Sequence, residues 1–242
     1  MTQRKKTSSP QQQNVEEPKK TRKEIICEII KKKSKEKFLS DNQKIYYDLL
    51  KQNQITICSG PAGTGKSYIS LKTAIDLISD PTTPYEKIII LRPAVESSDS
   101  TIGLLPGDVR EKMDPYVYAS FYLLKKIIGQ EATKKLEEIG VIEVMAISFI
   151  RGLNIDNAIL VGEEFQNTTP NEMKTILTRI GFNSKFFISG DMDQTDKFKQ
   201  IEKSGLYDAI HRLIDLEDIG IFKFTLNDVV RNPLITKILQ RY

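Results

Sequence analysis

The sequence has few of the residues that build disulfide frameworks, metal centres or membrane spans. It contains only two cysteines, Cys27 and Cys58, which give neither a disulfide framework nor a metal-ligand spacing. His211 is the only histidine, and we interpret it as structural, because no Ser or Cys is evidently placed to pair with it as a nucleophile. No apolar run reaches about 18 residues, so no transmembrane helix is expected. Residues 1–24 lack the apolar core of a secretory signal, so we expect a cytoplasmic protein without membrane partners.

The positive charge is concentrated near the start of the chain. Residues 1–37 carry 12 Lys/Arg and 5 Asp/Glu, a net charge of +7, whereas the remaining residues carry 24 and 27, a net charge of −3. We interpret residues 1–37 as a basic, largely disordered arm, in which residues 21–37 form a basic helix with isoleucines on one face, and residues 38–242 as one folded domain. Two interpretations of the arm stay open: it binds nucleic-acid phosphates, or it is a solvated tail.

From residue 38 onwards, apolar runs alternate with helical patterns. The predicted strands are residues 55–58, 87–91, 141–146, 158–161, 185–189 and 221–226. The predicted helices are residues 66–78, 108–128, 131–139, 170–180, 205–216 and 233–242. This alternation predicts an α/β fold with a mainly parallel sheet and helices on both faces. Ligands on such sheets bind at the carboxyl ends of the strands.

A glycine-rich loop follows the first predicted strand and has the sequence Gly60-Pro61-Ala62-Gly63-Thr64-Gly65-Lys66-Ser67. It matches the phosphate-loop pattern G-x-x-x-x-G-K-[ST], with a strand before it and a helix after it. The glycines let backbone N–H groups converge on phosphates, and the helix presents its N-terminus to the same anion. We expect Lys66 on the β- and γ-phosphates and the Ser67 hydroxyl on Mg²⁺. The loop therefore predicts binding of a nucleoside triphosphate, most simply ATP, with magnesium.

Polar side chains follow two further buried strands. A P-loop needs an acidic residue for magnesium and a group that orients the attacking water. We assign Glu163 to magnesium and Glu164 to the water, the alternative being a capping pair at a strand end. Gln194 is expected on phosphate or water and Asp191 as a loop anchor, the alternative being an ordinary turn.

Arginines near predicted element ends are candidates for the positive charge that assists phosphoryl transfer, from the same chain or a neighbouring one. They are Arg92, Arg151, Arg179 and Arg231. Arg231 is the first candidate for a contact from a neighbouring copy, and Arg179 is the second. The alternative for each is a surface ion pair.

Ten short segments in fixed order resemble the PhoH-like family of P-loop ATPases. They are residues 42–43, 59–67, 90–95, 104–108, 112–116, 149–152, 164–170, 177–182, 189–191 with Gln194, and 228–231. The resemblance implies a RecA-like P-loop NTPase core related to the motor domain of superfamily 1 helicases. It also implies ATP hydrolysis linked to RNA metabolism, ring-like homo-oligomers such as hexamers, and adenine recognition by Gln43.

Two departures from the family pattern accompany this resemblance. The family usually has Asp where this sequence has Glu163, and we expect no second motor domain after the core. A compact, Lys- and Ile-rich version suits a virus-encoded member that acts in the host cytoplasm.

Three functions stay open at this point. The leading one is an ATPase that acts on, or is stimulated by, single-stranded RNA or DNA. The second is a P-loop small-molecule kinase, although the sequence shows no lid-like arginine cluster. The third is a nucleotide-dependent assembly module with little turnover, which Glu163 in place of Asp keeps open.

Overall fold

The computed structural model describes residues 20–31, 37–93, 109–195, 197–230 and 241, with the backbone alone for residues 109–116. Within this part, six strands form one all-parallel sheet. The strands are β1 (Ile55–Ser59), β2 (Lys87–Arg92), β3 (Ile142–Ala146), β4 (Ala158–Gly162), β5 (Lys185–Gly190) and β6 (Ile219–Lys223). Their order is β3-β2-β4-β5-β1-β6. The predicted parallel sheet is confirmed, and each strand overlaps the apolar run that predicted it.

Seven α-helices occur in the described residues. They are α1 (Arg22–Ile29), α2 (Asp41–Gln52), α3 (Lys66–Ile78), α4 (Val109–Ile128), α5 (Gln130–Glu138), α6 (Pro170–Leu177) and α7 (Gly205–Leu213). None of these helices is long and apolar enough to cross a membrane. The helix predicted over residues 233–242 lies outside the described residues.

Two hydrophobic cores lie on opposite faces of the sheet. Successive strand residues point to opposite faces, so β2 gives Ile88 and Ile90 to one core and Ile89 and Leu91 to the other. The first core also takes side chains from α1 to α5, and the second takes side chains from α6 and α7. The predicted helices on both faces are therefore confirmed. Cys58 is a small buried residue of the first core, and burial raises the pKa of its thiol to about 12.

Some element ends differ from the predicted ones. α6 was expected to continue to residue 180, but Ile180 forms a parallel bridge with Ile155 and so leaves the helix. β6 lies two to three residues earlier than predicted. The chain leaves the strand because the Thr225 amide donates to Asp228 Oδ2 at 2.8 Å, which starts a 3₁₀ turn.

Part of the predicted basic arm belongs to the folded body. α1 begins with a capping box between Thr21 and Glu24 and packs against α3 and α5. Ile26 and Ile30, four residues apart on one face, are both buried. The helix ends at Ile29 rather than continuing towards residue 37. The ordered packing therefore starts before residue 38, whereas residues 1–19 lie outside the described part.

α2 and α3 are joined by a hydrogen bond between two fully buried hydroxyl groups. Tyr46 Oη and Ser70 Oγ are 2.8 Å apart. Burial raises the pKa of the Tyr46 hydroxyl well above its ordinary value, so the group is neutral. Ser70 lies on α3, which follows the glycine-rich loop directly, so the pair helps to fix that helix against α2.

We predict that Tyr46→Phe lowers the free energy of unfolding by about 1–3 kcal/mol, because Ser70 loses its partner in a buried place. Ser70→Ala should show a similar loss, and the double variant should lose less than the sum of the two. Urea unfolding of the wild-type protein, the two single variants and the double variant measures the four free energies of unfolding. Strictly additive losses would contradict a direct Tyr46–Ser70 interaction.

Candidate active site

The glycine-rich loop lies at the carboxyl edge of the sheet, between β1 and α3. Gly63 and Gly65 have φ of 88° and 91°, a region that favours glycine. Gly60 leaves no room for a side chain, since a Cβ there would lie 2.6 Å from Phe224 Cβ. Gly65 occupies the N-cap of α3, where no side chain caps the helix. The first amides of α3 are therefore left for an anion at the loop.

Lys66 and Gln43 both bind backbone groups of this loop. Lys66 Nζ donates to the carbonyl oxygens of Gly60 and Pro61, the latter at 2.8 Å. Gln43 is buried, its Nε2 donates to the Thr64 carbonyl at 3.0 Å, and its Oε1 accepts from the backbone amide of residue 39 at 2.8 Å. Gln43 thus supports the loop from behind, and its role in adenine recognition stays a prediction.

A cavity of 510 Å³ opens in front of the loop. It is lined by most of the site residues that the sequence predicted. From the loop these are Ala62, Gly63, Gly65, Lys66 and Ser67, and from the ends of neighbouring strands they are Arg92, Glu163, Glu164, Asp191 and Gln194. Because the strands are parallel, their carboxyl ends meet at this edge. Gln43, Gly60, Pro61 and Thr64 are not part of the lining.

Glu163 is buried, and its two carboxylate oxygens have different surroundings. Oε2 accepts from Arg92 Nε at 3.1 Å, from Arg92 Nη2 at 2.9 Å and from Ser120 Oγ at 2.5 Å. Oε1 is buried without a hydrogen-bond partner among the described residues. A buried carboxylate oxygen without a partner is costly. With the Ser67 hydroxyl on the same cavity, this oxygen fits a hard cation such as Mg²⁺.

Ser120 is a contact that the sequence did not reveal. It lies in α4, 43 residues before Glu163, within an ordinary amphipathic pattern. Arg92 pairs with Glu163 and is only partly exposed at 14%, and its predicted contact with phosphate stays a prediction. Both side chains hold one oxygen of Glu163 and leave the other available.

Glu164 has a left-handed backbone with φ of 59°, which costs about 1–3 kcal/mol in a residue other than glycine. Its side chain is exposed, and Oε2 accepts from Gln166 Nε2 at 2.8 Å. Gln166 is fully buried, donates also to the Gln194 carbonyl at 3.0 Å, and accepts from the Asp191 amide at 3.0 Å. One amide thus joins the residues that follow β4 to those that follow β5. The sequence placed Gln166 in a family segment but gave it no role.

Asp191 lies between the loop after β5 and the P-loop. Its carboxylate accepts from the Asp193 amide at 3.1 Å and from the amide of Ala62. Burial raises the pKa of Asp191 above its ordinary value, while these amides and the charge of Lys66 oppose the rise. The carboxylate therefore anchors one loop to the other.

Two further arginine candidates, Arg151 and Arg179, are not part of the cavity lining. The carbonyl of Arg179 accepts from the Ile155 amide just before β4, which places Arg179 at the amino ends of the strands. Arg151 is exposed and not part of the lining, and Arg231 lies outside the described residues. His211 is exposed on α7, where it bonds the Tyr207 carbonyl at 2.8 Å.

Residues 36–242 match the model of a protein family described as "PhoH-like protein". The chain belongs to the PhoH-like family. Relatives include the PhoH-like protein of Bacillus subtilis (strain 168), 40% identical over 200 residues, which are 83% of this chain and 61% of the relative. Protein PhoH of Escherichia coli (strain K12) is 32% identical over 205 residues, 84% of this chain and 57% of the relative. This chain thus spans less than two thirds of the length of these PhoH-like relatives.

A solved structure supports the fold. The large terminase from a thermophilic bacteriophage matches with a TM-score of 0.50 and 10% identity, covering 85% of this chain and 50% of that one. At this identity the likeness concerns the fold alone. The predicted α/β P-loop NTPase fold and the predicted PhoH-like family are both confirmed.

We predict that Gln166→Leu in this PhoH-like chain lowers nucleotide turnover about tenfold or more and leaves nucleotide affinity within about threefold. Glu164 loses a charge-assisted hydrogen bond that holds its side chain, whereas Gln166 has no direct hydrogen bond to the P-loop and reaches it only through Asp191. Steady-state kinetics and calorimetric titration separate the two effects. Gln52→Leu, an exposed glutamine at the end of α2, is the matched control. Parallel losses of turnover and affinity would contradict a positioning role for Gln166.

Proposed function

We propose that the protein binds ATP with Mg²⁺ and hydrolyses it. The observation that carries the proposal is that Lys66, Glu163 and Glu164 line one cavity at the carboxyl ends of the strands. In P-loop NTPases the lysine contacts the β- and γ-phosphates, and two acidic side chains serve the metal and the attacking water. The family and the fold support a nucleotide-binding NTPase, and the choice of ATP is part of the proposal.

Each residue at the cavity has a proposed role. The hydroxyl of Ser67 and Oε1 of Glu163 would hold Mg²⁺, which neutralises phosphate charge when bound. Glu164 accepts the proton of the attacking water as a general base. Gln194 contacts the water or the terminal phosphate, and Asp191 keeps its loop against the P-loop.

We predict that Lys66→Ala abolishes high-affinity binding of Mg·ATP, because the ammonium on the phosphates is removed. Glu164→Gln should bind Mg·ATP normally and lose turnover by about 100- to 10,000-fold, since an amide accepts no proton. Calorimetry measures the first effect and phosphate release the second. Glu202→Gln, an exposed residue away from the cavity, is the matched control.

The same measurements separate the competing functions. ATP turnover without an added acceptor speaks against a small-molecule kinase. Tight binding by the wild-type chain without any turnover would replace the ATPase proposal by the assembly module. Unchanged binding by Lys66→Ala would remove the P-loop assignment altogether.

We also propose that single-stranded RNA or DNA binds near the basic arm and stimulates turnover. The +7 charge of residues 1–37 supports this, because lysines that neutralise phosphates release counterions. α1 packs into the core, so deletion of the whole arm would also remove the buried Ile26. Neutralisation of the lysines that follow α1 therefore gives the cleaner test. They are Lys31, Lys32, Lys33, Lys35 and Lys37.

We predict that replacing these five lysines by Gln weakens single-strand binding. The slope of log affinity against log salt should flatten by about 0.7 for each phosphate that the arm no longer neutralises. Fluorescence anisotropy with a labelled single strand at several salt concentrations measures this slope. ATP turnover without nucleic acid should stay unchanged as the internal control. An unaltered slope would identify the arm as a solvated tail.

The proposal extends to a homo-oligomeric ring in which an arginine from one copy reaches the site of the next. Arg179, the second candidate from the sequence, has an Nε that is buried without a hydrogen-bond partner in the described residues. It lies at the amino edge of the sheet, and strands of five or six residues separate the two edges by roughly 17–20 Å. Arg179 can therefore serve only a neighbouring P-loop. Arg231 stays the first candidate from the sequence.

A further inference from the structure

Three cationic side chains of the described residues line the cavity, and two of them already have partners that define their roles. Lys66 belongs to the P-loop and binds its carbonyls. Arg92 uses Nε and Nη2 on Glu163, so its charge is compensated. The third is Lys126 of α4, an exposed residue whose ammonium lies 4.5 Å from the centroid of the Tyr122 ring. No carboxylate of the described residues forms an ion pair with Lys126.

The packing of α4 turns Lys126 towards the cavity. The lining residues of this helix are spaced three and four apart and so form one stripe, consisting of Ala119, Tyr122, Leu123 and Lys126. The adjacent face is buried through Leu124 and Ile127. Ser120 on that face donates to Glu163, which fixes the rotation of the helix. Lys125 is also exposed but is not part of the lining.

The charges of the cavity favour an additional cation next to the nucleotide. Glu163, Glu164 and Asp191 line the same space as the P-loop, so anionic side chains face the place where a triphosphate is expected. Phosphoryl transfer spreads negative charge over the terminal phosphate and its neighbours, and a positive side chain there stabilises the transition state. Among the described residues, Lys126 is the cavity cation that neither a carboxylate nor the P-loop engages.

We propose that Lys126 leaves the Tyr122 ring and binds the terminal phosphate of the nucleotide as a catalytic residue of the same chain. A cation–π contact at an exposed ring is weaker than a charge-assisted hydrogen bond to phosphate, so the phosphate displaces the ring. Tyr122 holds the ammonium at the rim of the cavity before the nucleotide arrives. This inference rests on the proposed ATP hydrolysis and assigns to it a positive group that needs no neighbouring copy.

The experiment compares Lys126→Met with Lys125→Met, the neighbouring exposed lysine outside the lining. In a Glu164→Gln background, which prevents turnover, calorimetry gives the Kd of Mg·ATP and of Mg·ADP. Lys126→Met should raise the Kd of Mg·ATP about tenfold and that of Mg·ADP less than about twofold, since ADP lacks the terminal phosphate. With Glu164 intact, Lys126→Met should lower kcat about tenfold or more, and Lys126→Arg should restore most of it. Lys125→Met should match its parent in every assay.

Three results would overturn the inference. An equal rise of the Kd of Mg·ATP and of Mg·ADP would mean that Lys126 contacts a part of the nucleotide other than the terminal phosphate. Unchanged affinity and turnover would mean that the lysine stays on Tyr122. If Lys126→Met lowered turnover only when a single-stranded oligonucleotide is added, Lys126 would contact the nucleic acid rather than the nucleotide. Failure of ATP hydrolysis itself is a separate outcome, because it appears already in the unmodified chain.

Discussion

A buried carboxylate, that of Glu163, ties three elements together at the edge of the sheet where the P-loop opens. It follows β4 directly, and its Oε2 takes hydrogen bonds from Arg92 at the end of β2 and from Ser120 in α4. A buried charge is tolerated only when it is paired and hydrogen-bonded. Removal of Arg92 or Ser120 would therefore weaken both the packing of this corner and the position of the remaining oxygen. The packing of these three elements and the proposed metal binding therefore depend on the same hydrogen bonds to Glu163 Oε2.

A second set of contacts is centred on a neutral side chain, that of Gln166, and it orders Glu164 and the residues that follow β5. The amide of Gln166 uses both its oxygen and its nitrogen between the ends of β4 and β5. Gly190 has no space for a side chain, since a Cβ there would lie 2.5 Å from Gln166 Oε1. The strained backbone of Glu164 persists because this close packing holds the residues on either side of it. The carboxylate of Glu163 thus links β2, β4 and α4, and the side-chain amide of Gln166 links the residues that follow β4 and β5.

The sequence predicted those features that depend on neighbouring residues alone, namely the strands and the glycine-rich loop. The apolar runs predicted all six strands, and the glycine spacing predicted the loop, because backbone conformation at Gly63 and Gly65 depends on the residue itself. The pattern could not reveal that Ser120 meets Glu163, since that contact depends on how α4 docks. It also could not reveal that Arg92 pairs with Glu163, because a strand-end position alone does not show which carboxylate lies beside it.

The charge of the first 37 residues also left the packing of this segment open. The charge count left a solvated tail or a phosphate-binding arm open, while the isoleucines predicted a basic helix with an apolar face. In the structure Ile26, within α1, and Ile30, just after it, are buried where α1 packs against α3 and α5. Two buried isoleucines stabilise such a helix against its charged neighbours, because each buried side chain contributes about 1.5–3 kcal/mol. The net charge of a segment does not show whether one face of it is apolar and packs against the rest of the protein.

The position of α4 connects the two charges that matter most for the proposed reaction. Ser120 on its buried face holds Glu163, and Lys126 on its cavity face lies six residues later, less than two helical turns away. A helix moves as a rigid unit over that distance, so α4 cannot shift towards the cavity without changing both the hold on Glu163 and the place of Lys126. The proposed metal ligand and the proposed phosphate ligand are thus set by one packing interaction. A displacement of α4 would therefore change the positions of Glu163 and Lys126 together.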